Sequence, residues 1–159
     1  MSSDITPEQA RQEALAFLKH HKTGVLATVS LKGEAQANMI YYTADDDFNV
    51  YFLTLANTRK YQGLLAHPQV AFTVSTTEVP QTLQIEGVAV DISLDQDAIR
   101  KKDELTEILN ENPWFYGPIT KLDPADIIVV WLKPHWVRWA DYAFAEAGSA
   151  HVFKEIPIA

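Results

Sequence analysis

The sequence predicts a mainly β fold, a β-barrel or an α+β domain, and three observations lead to this prediction. Short stretches rich in β-branched and aromatic residues recur along the chain and are separated by turn signals. Segments with helical spacing are few and do not alternate regularly with these stretches, as they would in repeated βαβ units. The chain has 159 residues without a repeat or linker, so we predict a single domain over residues 1–159.

The strands are predicted from composition and alternation. They are expected at 25–30, 35–42, 50–55, 70–74 and 82–91, with a closing pair at 126–132 and 137–139. The alternation changes phase at Gly87, which predicts a bulge or bend there. The aromatic segment 114–118 reads as a loop, and the tail 144–159 receives no assignment.

Three helices are predicted from capping signals. The first begins at Thr6, with Gln9 completing a capping box. The second runs from Arg59 to Ala66, with Asn57 or Thr58 as its cap. The third is expected to begin at another capping box, formed by Ser93 and Gln96.

Composition excludes several classes of function. The chain carries 13 basic and 21 acidic residues, a formal net charge of −8, which argues against a general attraction to nucleic acid or to an anionic membrane. No apolar run approaches the roughly 20 residues that a membrane helix needs, and the N-terminus lacks a secretory signal. Because the chain has no cysteine, disulfides and thiolate-bound metals are excluded, which suits a soluble protein of the reducing cytoplasm.

The first turn of the second predicted helix carries two cations, Arg59 and Lys60. This placement opposes the helix dipole, whose positive end favours carboxylates. Free backbone N–H groups, the hydroxyl of Thr58, a bidentate guanidinium and an ammonium together form a phosphate site. The alternative is that the basic pair is simply solvated, as most such pairs are.

Other catalytic patterns do not occur in the sequence. The five histidines lack metal-binding spacing, and the glycines form neither a dinucleotide-binding fingerprint nor a P-loop. No serine lies in a nucleophile elbow. We therefore predict no metal site and no serine hydrolase chemistry, and no side chain is assigned a catalytic role.

Around the basic pair, the order of elements matches a known pattern. A strand ending in Phe52-Leu53-Thr54 is followed by Asn57-Thr58-Arg59-Lys60 and a short helix, then by His67-Pro68 and the strand Gln69-Val70-Ala71-Phe72. Together with the leading segment Gly24-Val25-Leu26-Ala27-Thr28-Val29, this resembles the flavin-binding core of the pyridoxamine 5'-phosphate oxidase-like family. The likeness covers about residues 8 to 92, with weaker agreement over 126–139.

The resemblance implies a six-stranded antiparallel split β-barrel with flanking helices, of the FMN-binding split-barrel type. It also implies a homodimer that holds flavin mononucleotide (FMN) at the interface of its two subunits. The vitamin B6 oxidase itself carries a C-terminal arginine-containing substrate clamp, and no such motif follows Trp139. The likeness therefore points to the general stress protein-like branch of the family and gives no support to vitamin B6 oxidation.

By position, the resemblance implies that Arg59 and Lys60 bind the flavin phosphate, that Thr58 donates its hydroxyl and that Thr54 contacts the flavin. The strand 38–41 would pass along the isoalloxazine ring. The full set of implied cofactor residues is Asn38, Met39, Ile40, Tyr41, Thr54, Asn57, Thr58, Arg59, Lys60, Thr82, Gln84 and Trp136.

Two members of this set depart from the family pattern, and a third has an alternative structural role. Asn38 stands where the best-known enzymes of the family have an arginine, and Thr82 stands where a glutamine is common. Trp136 lies near the place where the family brings residues of the partner subunit towards the cofactor. Its alternative role is packing in the core or in the dimer interface.

The function implied is that of an FMN-dependent oxidoreductase with a small-molecule redox substrate, in which the isoalloxazine transfers hydride or electrons while the protein binds and orients it. One alternative is a non-catalytic flavin-binding stress or carrier protein, because the fold binds cofactor whether or not a substrate pocket exists. Another alternative keeps the split barrel but binds a deazaflavin or haem, for which His135 and His151 are the candidate axial ligands.

Overall fold

The computed structural model of the protein describes residues 5–111, 123–143 and 152–158, which form an antiparallel sheet with three helices. The helices are α1 (Pro7–His20), α2 (Arg59–Ala66) and α3 (Gln96–Asn110), and a 3₁₀ turn lies at Pro124–Asp126. The strands are β1 (Thr23–Val29), β2 (Ala35–Tyr41), β3 (Thr43–Ala44), β4 (Val50–Leu55), β5 (Gln69–Thr76), β6 (Gln81–Asp91), β7 (Ile127–Asp141) and β8 (Phe153–Glu155).

The sheet follows the order β2-β1-β5-β6-β7-β4-β3, and its neighbouring strands pair antiparallel. The short strand β8 lies off this path and pairs with the second half of β7. The sheet curls into a half-barrel with helices packed on it, consistent with the predicted split barrel. The predicted number of six strands is wrong, because seven strands follow the path within the described residues and β8 adds another.

The short strands β3 and β8 account for the additional count, and strand β7 differs from the prediction in another way. The sequence predicts two strands, at 126–132 and 137–139, whereas Ile127–Asp141 is one continuous strand of 15 residues. Proline normally interrupts a strand because it has no N–H to donate. Here Pro134 falls at an irregularity in the pairing between β7 and β6, so the strand continues past it.

The bulge predicted at Gly87 is confirmed. Glu86 pairs with Trp136 and Gly87 pairs with Pro134, so His135 is the extra residue on β7. The two backbones approach so closely that a Cβ on Gly87 would lie 2.2 Å from the carbonyl oxygen of Lys133. Glycine is therefore required where β6 crosses the bulge.

The main hydrophobic core lies between α1 and the sheet. The predicted capping box at the start of α1 is confirmed, because Thr6 Oγ1 accepts from the Gln9 N–H at 3.1 Å and the Thr6 N–H donates to Gln9 Oε1 at 2.8 Å. From α1, Phe17 packs against Trp139 of β7 with ring centroids 4.9 Å apart. These contacts hold the helix against the curled sheet.

The predicted Ser93–Gln96 capping box of α3 is wrong. The cap is Asp95, whose side chain makes no capping hydrogen bond. The chain is still paired with β7 at this point, since the Ile92 N–H donates to the Val129 carbonyl oxygen at 3.0 Å. Ser93 Oγ accepts from the Val129 N–H at 2.9 Å, so its hydroxyl prolongs the contact with β7 instead of capping the helix.

The segment 114–118 and His151 lie outside the described residues. In the tail that received no assignment, the described residues contain β8. Among the helices described here, none combines the length and the apolar character that crossing a membrane requires.

Replacing Gly87 with alanine should destabilise the fold, because the added methyl group would collide with the Lys133 carbonyl. Overpacking of this kind costs about 1 to 3 kcal/mol of unfolding free energy, measurable by denaturant titration. The control is Gly33→Asn, where the backbone has a φ of 81° and no atom lies within 4 Å of an added Cβ. Equal stability of Gly87→Ala and the parent protein would contradict the close approach described here.

Candidate functional site

A cleft of about 310 Å³ lies between β2, β4, the start of α2 and one face of α3. We call it the α2 cleft. Its lining residues are Met39, Ile40, Tyr41, Leu53, Thr54, Leu55, Thr58, Lys60, Leu105, Leu109 and Ile127. A volume of this size is at the lower end of small-molecule sites.

The hydroxyl groups of two threonines fix the start of α2 to the end of β4. Thr58 is the helix cap, and its Oγ1 accepts from the Tyr61 N–H at 3.2 Å. The same hydroxyl donates to the Leu55 carbonyl oxygen at 2.8 Å and lies 3.3 Å from Thr54 Oγ1. Of the two caps considered from the sequence, Thr58 is therefore the one used, and Asn57 is exposed beside it.

The rest of α2 is held by a close contact with β1. A Cβ on Gly63 would lie only 2.5 Å from the Val29 carbonyl oxygen, so the helix rests directly on the strand backbone. Gly63 and Leu64 are the buried residues of this helix. The contact sets where the first turn of α2, and hence Lys60, meets the cleft.

Lys60 is a half-buried cation in the wall of the α2 cleft. Burial lowers the pKa of its ammonium group, because an apolar environment disfavours the charged form. No carboxylate within the described ranges forms an ion pair with it, and the first turn of α2 contains no acidic residue. Lys60 and the helix dipole therefore place uncompensated positive charge at one end of the cleft.

The other end of the cleft is aliphatic. Leu105 and Leu109 of α3 face it together with Ile127 at the start of β7. On the sheet side, Met39 to Tyr41 of β2 complete the wall. The arrangement suits a planar, largely apolar ring with an anionic tail directed at Lys60.

A second hollow of about 410 Å³ lies on the outer face of the sheet. Gln84 and Trp136 belong to it. Between them, Arg138 donates from Nε to Gln84 Oε1 at 2.9 Å, and its guanidinium carbon lies 5.5 Å from the centre of the Trp136 ring. The hollow thus presents a fixed guanidinium beside an indole.

This hollow is part of a larger surface that we call the outer-face patch. Cross-strand pairing places its side chains in two rows over five strands. The rows are Met39, Val25, Thr73, Gln84 and Arg138, and Ala37, Ala27, Ala71, Glu86 and Trp136. Met39 belongs both to this patch and to the α2 cleft, and it is 54% exposed, so the cleft opens at the edge of the patch.

The predicted cofactor residues fall into three groups in the structure. Six of them line the α2 cleft, namely Met39, Ile40, Tyr41, Thr54, Thr58 and Lys60. Gln84 and Trp136 lie in the outer hollow. The remaining four, Asn38, Asn57, Arg59 and Thr82, line neither space.

Sequence reasoning missed the aliphatic residues of the cleft. Leu53, Leu105, Leu109 and Ile127 were recognisable as apolar members of predicted elements. Apolar spacing, however, is the same for a side chain that faces the core and for one that faces a pocket. Only the position of α3 against β4 distinguishes the two.

Comparison with known proteins adds family and fold. The family model described as pyridoxamine 5'-phosphate oxidase matches residues 10–139, whereas no curated protein sequence matches the chain significantly. A haem-binding protein from Mycobacterium smegmatis superposes with a TM-score of 0.71 at 15% identity, over 92% of this chain and 57% of that one.

Two other solved structures superpose over most of their own length. General Stress Protein 26 from Bacillus anthracis gives a TM-score of 0.58 at 16% identity, over 80% of this chain and 92% of that one. An FAD-binding protein from Mesorhizobium loti gives a TM-score of 0.62 at 15% identity, over 79% of this chain and 90% of that one. At these identities the structural likeness concerns the fold alone. Because the family model spans most of the sequence, however, this chain belongs to the pyridoxamine 5'-phosphate oxidase family.

Proposed function

We propose that the protein is an FMN-dependent oxidoreductase that acts on a small-molecule redox substrate in the cytoplasm. The observation that carries the proposal is the partly desolvated ammonium of Lys60 at the start of α2, which has no carboxylate partner among the described residues and lies in a cleft that is otherwise mainly apolar. A phosphate group would supply the missing negative charge. Membership of the pyridoxamine 5'-phosphate oxidase family supports the choice of a flavin.

The residues present fit this cofactor. Lys60 Nζ and the free N–H groups at the start of α2 would hold the phosphate, with the exposed guanidinium of Arg59 adding charge from outside the cleft. The threonine pair, Thr54 and Thr58, would face the region next to the phosphate. When bound, the flavin supplies hydride or electron transfer, and the aliphatic wall formed by α3 excludes water from its ring.

The outer-face patch supports a homodimer. Its small, exposed side chains at Ala27, Ala37 and Ala71 leave a flat surface that a second copy can approach closely. A two-fold axis through the middle of the patch, near Ala71, would bring Gln84 and Trp136 of one copy towards the open edge of the α2 cleft at Met39 of the other. The dimer would thereby enclose a pocket that one chain forms only in part.

Two alternatives from the sequence remain distinguishable by absorbance. A non-catalytic carrier would hold a flavin that NADH and NADPH fail to bleach, and a deazaflavin has its own spectrum. Haem would require an axial ligand, but no histidine lines the part of the α2 cleft that the structure describes. His135 is exposed at the bulge of β7 and lines neither the cleft nor the outer hollow, and His151 lies outside the described residues. A Soret band would identify haem.

The Lys60→Met variant tests the cofactor proposal directly. It should bind FMN about tenfold to a hundredfold more weakly, because one charge-assisted contact to the phosphate is lost, while riboflavin affinity should change little. Quenching of flavin fluorescence measures both affinities, and Lys32→Met at an exposed turn is the matched control. Equal losses for FMN and riboflavin would show that the phosphate does not sit at Lys60.

The same variant should be more stable than the parent protein in the absence of ligand. The gain is expected to be at most about 1 kcal/mol at neutral pH, since Lys60 is only partly desolvated. Its folded-state pKa is lowered, so the unfolded chain binds more protons between the two pKa values and the parent gains stability as the pH rises through that window. Denaturant titration measures the unfolding free energies of Lys60→Met and of the parent, and the difference between them should shrink as the pH rises. A difference that does not change with pH would argue against a desolvated ammonium.

The Ala71→Arg variant tests the dimer. It places a cation at the centre of the outer-face patch, where two-fold symmetry would bring two like charges together. We expect a monomer by light scattering and FMN binding at least about tenfold weaker. Leu31→Arg, at an exposed turn outside the patch, should leave both unchanged. If the Ala71→Arg variant were monomeric and still bound FMN normally, the dimer interface would not contribute to FMN binding.

A further inference from the structure

A third cavity, of about 670 Å³, shares no residue with the α2 cleft or the outer hollow. It lies where the loop between β3 and β4 meets β7, α1 and residues 157–158. We call it the Trp131 cavity after the largest aromatic residue in its wall. The function proposed above does not use it.

The Trp131 ring is held in a fixed orientation. Its Nε1 donates to Asn49 Oδ1 at 2.8 Å, and Asn49 Nδ2 donates to the two carboxylate oxygens of Asp45 at 2.9 and 3.1 Å. Asp45 also accepts from the Asn49 N–H at 3.2 Å. The indole is thus tied at its polar edge and borders the cavity as a half-buried, pre-oriented surface.

The loop that carries Asn49 has an uncommon backbone. Phe48 has a φ of 63°, in the left-handed region that non-glycine residues rarely adopt. Its side chain is fully buried in the core, which compensates for this conformation. Asn49, which fixes the indole, therefore directly follows a conformationally restricted position of the turn.

The cavity also carries positive charge in an acidic protein. Lys133 Nζ lies 5.8 Å from the centre of the Trp131 ring, and no carboxylate in the described parts of the chain forms an ion pair with it. Arg11 is already engaged, because it donates to the carbonyl oxygens of Pro157 and Asp46 at 3.1 Å each. The Asp47 carboxylate, 3.9 Å from Arg11, is largely exposed at the rim. Of the two cations that the described residues contribute to this wall, Lys133 is therefore the one not already engaged by an oxygen acceptor.

We propose that the Trp131 cavity binds a planar aromatic molecule that carries an anionic group, with its ring stacked on Trp131 and its anion paired with Lys133. Lys133 Nζ lies 5.8 Å from the centre of the indole ring at the end of a flexible side chain, so it can move aside for a stacked ring and pair with an anionic group attached to that ring. The volume suffices for a nucleoside monophosphate. This site is independent of the cofactor proposed for the α2 cleft.

Adenosine 5'-monophosphate (AMP) is a suitable probe, with adenosine and inorganic phosphate as its two halves. Binding is followed in the full chain by the NMR signal of the Trp131 indole N–H, which Trp131→Phe identifies. We expect a saturable shift with AMP, and affinities about tenfold lower for either half alone. No saturable shift by millimolar AMP, or an equal affinity for adenosine, would overturn the proposal.

Two variants locate the binding. Lys133→Ala should weaken AMP binding about fivefold, as expected for one solvent-accessible ion pair, whereas Lys32→Ala should not. The titration is repeated in Lys60→Met, where AMP affinity should stay unchanged even if the protein binds no FMN. An affinity lost in Lys60→Met but kept in Lys133→Ala would place AMP in the α2 cleft and overturn the proposal.

Discussion

Strand β7 is the constraint on which the rest of the structure depends. It pairs with β6 over nearly its whole length, with β4 along its first half and with β8 along its second. Strand β6 occupies one edge of β7, and β4 and β8 share the other edge, with the extra residue His135 between their pairing stretches and opposite Gly87. The first half of β7 then supports the α2 cleft through Ile127, and the second half supports the outer-face patch.

The α2 cleft combines two features that oppose each other in the free protein. Two hydroxyl groups and a close helix–strand contact hold α2 in place, yet its first turn carries cations where the helix dipole is already positive. Such an arrangement costs stability in the absence of a ligand, and an anion bound there would relieve that cost. Functional sites often contain locally unfavourable arrangements of this kind. The positive charges that repel one another in the free protein would all attract a bound anion.

Sequence reasoning found the main elements and the cationic helix start because those depend on local signals. Capping at Thr6, the phase change at Gly87 and the basic pair after β4 can all be read within a few residues. It failed where pairing over long distances decides the outcome. Ser93 bonds to Val129, far along the chain, instead of capping α3, and Pro134 is tolerated in β7 only because Gly87 lies opposite. The aliphatic wall of the cleft was missed for the same reason, since Leu109 becomes a pocket residue only when α3 is placed.

The contact between Gly63 and Val29 links the geometry of the barrel to the depth of the charge in the cleft. Lys60 lies about one helical turn before Gly63 on a short, rigid helix. Because position 63 has no side chain, α2 can lie directly against β1. This close packing determines how deeply the Lys60 ammonium is buried. If the proposed phosphate binds at Lys60, its affinity would therefore depend also on Gly63 and Val29, which do not line the cleft.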